Sequence, residues 1–176
     1  MKFNVLFTIA LLVFASCTSS NTDDVTTNNE WELAFKITDL PQPESVAYDN
    51  ARNTLFVSNQ NQDKEVYISL LSIDGAIIEK EWVKGLVNPK GIEIFGNTLY
   101  VSDETVLVEI DINTAKIIKK HEAPEAQFLN DVEADNEGNI YVSDMLTSSI
   151  YKLDPNKNFP LVLFYNQNTK PSINNF

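Results

Sequence analysis

Three short stretches of the chain begin alike and then differ at the same place. Pro43-Glu44-Ser45-Val46, Pro89-Lys90-Gly91-Ile92 and Leu129-Asn130-Asp131-Val132 share one frame. Its second position is Glu44, Lys90 and Asn130 in turn, and its third is Ser45, Gly91 and Asp131. Where repeats agree, a residue serves the fold; where they diverge inside a matching frame, it is free for other work. The carboxylate of Glu44 and the carboxamide of Asn130 are hard oxygen donors that would suit Ca²⁺, Mg²⁺ or Zn²⁺ if folding brought them together. As solvated side chains at strand starts they would do nothing of the kind, and spacing leaves both readings open. Lys90 adds a positive charge in the same frame.

Other chemistry finds little footing. The triplets ending Ser58-Asn59, Ser102-Asp103 and Ser143-Asp144 recur in all three stretches, as strand-end turns do, with the Asn or Asp bonding nearby backbone amides. Asp74, Asp111 and Asp154 read the same way. His121, the only histidine, stands beside Lys119-Lys120 and is expected at the surface. The sequence holds no Gly-rich phosphate loop, Cys/His cluster or Gly-x-Ser-x-Gly elbow.

The elements that would position these residues form a longer repeat. Each opening stretch leads into a second run, namely Asn53 to Asn59, Asn97 to Asp103 and Gly138 to Asp144. Val57 to Val101 is 44 residues and Val101 to Val142 is 41, the period of propeller blades. A third run follows in each (Val66 to Asp74, Val106 to Asp111, Ile150 to Asp154), then a fourth (Ala76 to Val83, Ala115 to Lys120, Phe159 to Phe164). All are short and rich in Val, Ile, Leu, Tyr and Phe, with Asn, Asp and Gly turns between them and no sustained 3.6-residue period.

These features predict an all-β body, 31–176, built as a partial β-propeller of about three four-stranded blades at 43–88, 89–128 and 129–164. First strands line the channel of a propeller, so Glu44, Lys90 and Asn130 would converge near one mouth. Trp31 to Ile37 reads as a further strand, the kind that clasps a last blade. Propellers have about four to eight blades, so three cannot close a ring. The expectation is half of a six-bladed propeller, either truncated relative to a longer relative or pairing with another copy through its open blade faces. Alone it would be marginally stable.

Along residues 31 to 164 the chain resembles the family of gluconolactonase, regucalcin (senescence marker protein) and luciferin-regenerating enzyme. The likeness is carried by Pro43-Glu44-Ser45-Val46-Ala47-Tyr48-Asp49 and Phe128-Leu129-Asn130-Asp131-Val132. It implies a divalent metal, Ca²⁺ or Zn²⁺, in the channel, with Glu44 and Asn130 as metal ligands and Asn130 with Asp131 at the substrate. The activity implied is hydrolysis of a sugar lactone, in which metal polarises the carbonyl and a carboxylate activates water. The alternative is a propeller that holds a ligand or a protein without turnover, as related repeats of the NHL type do.

The first residues suggest where such a body works. Lys2 precedes an apolar stretch from Val5 to Ala15 that is too short to span a bilayer, and Phe14-Ala15-Ser16-Cys17 resembles the lipobox of bacterial lipoproteins. That implies a signal peptide at 1–16 and lipidation of Cys17. The run 17–30 reads as a polar tether. The protein is therefore expected to be exported and held by its lipid on the outer or inner membrane of a bacterial envelope. Its net charge of -12, without a basic cluster, argues against nucleic acid as a partner. Cys17 is the only cysteine, so packing must stabilise the body without disulfides.

Overall fold

The computed structural model describes residues 32–60, 66–157 and 160–168. The chain divides into Met1–Leu33 and Ala34–Phe176. Of the first unit only Glu32 and Leu33 are described, so the signal peptide, Cys17, the tether and Trp31 lie outside the described residues.

Among the described residues of the second unit, twelve strands form three four-stranded antiparallel sheets and no helix occurs. The first sheet holds β1 (Pro43–Asp49), β2 (Thr54–Asn59), β3 (Tyr67–Ser72) and β4 (Ile77–Val83), paired in that order. The second holds β5 (Pro89–Phe95), β6 (Thr98–Asp103), β7 (Val106–Asp111) and β8 (Lys116–Glu122). The third holds β9 (Leu129–Ala134), β10 (Ile140–Asp144), β11 (Ser149–Leu153) and β12 (Val162–Asn166), so it runs slightly past the expected limit at 164.

Alternation makes the strands and apolar packing stacks them. β5 lies beside both β1 and β9, so the first strands of consecutive sheets are neighbours. One core fills the junction between the first two sheets, with Phe56, Ile68 and Trp82 against Ile92, Leu99, Val101 and Ile110. The Phe56 and Trp82 rings lie 4.6 Å apart. A second core joins Tyr100 and Leu107 to Leu129, Val132, Ile140, Val142 and Tyr151. Each large side chain buried there contributes about 1.5–3 kcal/mol.

Polar staples fix the turns. Asp49 accepts the amides of Ala51 and Arg52, and the Arg52 guanidinium pairs with Asp49 at 2.7 Å while reaching Asn97 and Asn113 of the second sheet. Asp103 and Asp144, both buried, receive the backbone amides of the loops that enter their own sheets, Val87 and Asn88 in one case and Gln127 and Phe128 in the other. Asp144 also accepts Leu146 and Thr147.

Two expectations are corrected. Glu32–Ile37 forms no strand. Phe35 instead lays its ring over Gly75, where an added Cβ would come within 2.5 Å of it. Local composition suits a strand there, but among the described residues no sheet edge pairs with the segment, and an extended segment without a ladder partner is not a strand. His121 is not at the surface: it is 5% exposed, and its Nε2 meets Glu109 Oε1 at 2.5 Å across the β7–β8 ladder. Lys120 points the other way because successive strand residues alternate faces, while Lys119, on the face of His121, stays exposed.

Candidate functional site

Each first strand carries an irregularity at its leading end, and it falls on the residues where the repeats diverge. The ladder shifts register between Pro43 and Ser45, between Pro89 and Ile92, and opposite Val142 and Asp144 on β9. In every case two residues of the first strand oppose one serine of the second: Glu44 and Ser45 against Ser58, Lys90 and Gly91 against Ser102, Asn130 and Asp131 against Ser143. These are β-bulges, which free a backbone position from the ladder and re-aim its side chain.

The opposing serines hold the bulges. Ser58 Oγ accepts the amide of Ser45 at 3.0 Å and donates to the carbonyl of Lys90 in the next sheet at 2.7 Å. Ser102 Oγ likewise donates to the carbonyl of Asn130 in the sheet that follows. Ser143 Oγ accepts the amide of Asp131 at 3.0 Å. Ser58 and Ser102 thus stitch one bulge to the next; Asp103 and Asp144 accept backbone amides as expected, whereas Asn59 instead donates to the carbonyls of Val57 and Tyr67 and to Ser69 Oγ.

The bulges of β1, β5 and β9 therefore lie at the same end of neighbouring strands. Glu44 is exposed, Asn130 half-buried and Asp131 exposed, whereas Lys90 is only 8% exposed. The Lys90 ammonium sits over the ring of Phe128, 4.5 Å from its centroid, a favourable place for a cation leaving water. Partial desolvation holds the Glu44 carboxyl above its ordinary range; the Lys90 charge pulls it down and the Asp131 charge pushes it up. Lys90 and Asp131 both lie near enough to act on Glu44, which places the three residues at the same end of their strands. Asn130 turns its amide toward Met145, with Nδ2 3.6 Å from the sulfur.

The oxygens of Glu44, Asn130 and Asp131 have the chemistry of hard-cation ligands, but the ammonium among them opposes a second cation. Among the described residues no three His, Cys, Asp or Glu side chains come together as a metal-binding group. Gly91, the divergent residue of the middle repeat, has a packing role: a Cβ there would fall 2.5 Å from the carbonyl oxygen of Asn130 and 2.7 Å from Asp131 Cα. Only glycine lets the β9 backbone come so close.

Sequence reasoning also missed a polar cluster between the second and third sheets. Besides His121 and Glu109 it includes Tyr100, whose hydroxyl is pushed up to about 12 by burial and by the Glu109 charge. The alternation of β7 and β8 could have shown it, since Glu109 and His121 fall on the face of Tyr100. His121 and Tyr100 are buried there, and Glu109 is half-buried.

No family model matches the chain, and no curated protein does. Among solved structures, a chain of a nidogen/laminin complex matches with a TM-score of 0.55 at 20% identity, over 76% of this chain and 55% of that one. The chain spans about half the length of the structure it matches. The fold is β-propeller-like.

Proposed function

We propose that the protein is a non-catalytic binding module of the bacterial envelope, a partial β-propeller that holds a ligand or a protein at the mouth formed by Glu44, Lys90, Asn130 and Asp131. One observation carries the reading: the buried Lys90, its ammonium over the Phe128 ring, lies near enough for its charge to act on Glu44, where it would oppose a cation held by that carboxylate. The Lys90 ammonium offsets one of the two carboxylate charges of Glu44 and Asp131, which favours a polar ligand-binding mouth over a Lewis-acid centre. The fold neighbour, part of a protein complex, is an example of such a fold in protein association. Attachment to the envelope rests on the resemblance of the residues before Cys17 to a lipobox.

A second reading, a metal-dependent sugar-lactone hydrolase, draws on the bulges. Glu44 and Asn130, the residues that the gluconolactonase-like resemblance singles out, occupy matching bulges of β1 and β9, and a carboxyl held above its usual range suits a general base. Calorimetric titration with Ca²⁺ and Zn²⁺, together with a gluconolactone hydrolysis assay, separates the two. The binding-module reading expects no saturable cation binding below about 1 mM, no hydrolysis, and Ca²⁺ binding at least about tenfold tighter in Lys90→Ala, since removing the ammonium lifts a like-charge repulsion. One Ca²⁺ per chain bound at micromolar concentration and lost in Glu44→Ala, with lactone turnover, would overturn it.

A further inference from the structure

We infer that the bulged end of β1, β5 and β9 takes a free α-amino acid as its zwitterion, with the ligand's carboxylate on Lys90 and its ammonium on Glu44, Asp131 and the Asn130 carboxamide. The inference rests on the reading of this end as a binding site and names the class of ligand.

Lys90 is the anchor. β5 is the middle first strand, with β1 on one side and β9 on the other, and the Lys90 side chain is only 8% exposed. A lysine so deeply buried ordinarily meets a carboxylate, because taking its charge out of water is costly. This one rests on the Phe128 ring. Among the described residues it joins no hydrogen bond and no ion pair. A ring face occupies one side of an ammonium, and N–H donors remain for an acceptor from outside the chain. The tip is not walled off either: among the described residues, the side-chain polar atoms both buried and unpartnered belong to Thr54, Asn59 and Thr147.

The acceptors beside it are idle as well. Lys90 and Asp131 both lie near enough to act on Glu44, yet among the described residues neither carboxylate enters an ion pair, so Glu44 and the ammonium stand more than 4 Å apart. Asn130 gives its Nδ2 to the Met145 sulfur, which turns Oδ1 away from that contact and leaves it as an acceptor. Carboxylates elsewhere in the sheets are used differently. Asp49, Asp103 and Asp144 are each filled by backbone amides, and Glu109 meets His121.

Opposite charges held near one another without touching choose their ligand by elimination. A cation alone meets the Lys90 ammonium, and an anion alone meets two carboxylates. A molecule that carries both charges brings each to its complement, and an α-amino acid does so with an ammonium and a carboxylate on one carbon. The half-buried Phe128 ring and the Met145 thioether set apolar surface beside these groups, which suits an aliphatic side chain.

The test is calorimetric titration of the full chain with L-leucine, with 4-methylpentanoate, which lacks the ammonium, and with L-leucinamide, which lacks the carboxylate. At about pH 6.5 the leucinamide amine is charged. Leucine is expected to bind with a Kd of about 1 mM or below, at least about tenfold tighter than either single-charge relative. Lys90→Met keeps an apolar stem against Phe128 and removes the charge; it should weaken leucine about tenfold and leave leucinamide no weaker. Glu44→Gln should weaken leucine and leucinamide about fivefold and leave 4-methylpentanoate no weaker. Glu44 is exposed, so this second variant decides the matter even if circular dichroism shows that Lys90→Met does not fold. No leucine binding at about 10 mM, a single-charge relative that binds as tightly as leucine, or a leucine affinity unchanged in Glu44→Gln would each overturn the inference. Ca²⁺ titrated into the same protein keeps the two failures apart. Micromolar Ca²⁺ binding with lactone turnover would overturn the binding-module reading itself, whereas silence toward both leucine and Ca²⁺ would overturn the amino-acid assignment alone.

Discussion

Replacing Gly91 with alanine tests whether the first strands touch as described. In an unconstrained strand the change stabilises by about 0.5–1 kcal/mol, because glycine loses the most backbone freedom on folding. Gly91 does not have a positive φ, so no conformational strain intervenes and any cost is steric. Its added Cβ would lie 2.5 Å from Asn130 O, 2.7 Å from Asp131 Cα and 3.0 Å from Val132 N. Since carbon needs about 3.5 Å, β5 and β9 would have to part by roughly 1 Å, and every atom met belongs to main chain tied into a ladder. A gap of that size forfeits about a quarter to a half of the dispersion attraction along the junction. Overpacking of this kind costs about 1–3 kcal/mol. Set against the glycine-to-alanine gain, a net loss of about 1 kcal/mol is expected, which lowers Tm by about 2–4 °C in a chain of this length. Gly96→Ala is the comparison, because its φ is +62° and nothing lies within 4 Å, so it should lose only the roughly 1–2 kcal/mol of a left-handed backbone. Urea unfolding measures both. A Gly91→Ala midpoint at or above wild type would refute the backbone contact and, with it, the alignment of the bulges.

The remaining predictions concern charge. Burial pushes the Asp144 carboxyl up, but the amides of Thr147, Gln127, Phe128 and Leu146 outweigh it and hold it below its ordinary range. A carboxylate depressed in the fold adds stability above its unfolded value of about 3.9, and that stability is lost as pH falls through the native value. Thermal melts should therefore hold steady from pH 7 to about 5 and drop below about 4; in Asp144→Asn the plateau should fall by about 1–3 kcal/mol and the acid limb flatten. An unchanged acid limb would show that Asp144 is not the group responsible. Arg52→Lys should cost about 1 kcal/mol in urea unfolding, since a point charge cannot serve Asp49, Asn97 and Asn113 together as the guanidinium fork does. A lysine variant as stable as wild type would mean that this staple between the first two sheets carries no net energy.

Much of the fold is legible in local pattern. Alternating apolar runs, Asn and Gly turns and a period of 41 to 44 residues mark twelve strands in three groups, because strand and turn preferences act over a few residues. The divergent positions Glu44, Lys90 and Asn130 can be picked out as a set for the same reason. Their meaning cannot. Lys90 is buried because the ring of Phe128 comes from the next sheet, and Gly91 is required because the β9 backbone passes against it. His121 is enclosed with Glu109 in the junction between two sheets rather than by anything beside it in sequence. Glu32–Ile37 has the residues of a strand but no ladder to join.

The residues by themselves determined where the chain extends, where it turns and which three segments are copies of one another, since each of these follows from neighbours within one hairpin. Only the tertiary structure decided which copies differ for packing and which for charge. That distinction depends on how closely one sheet approaches the next, a distance that no pattern inside a single repeat contains.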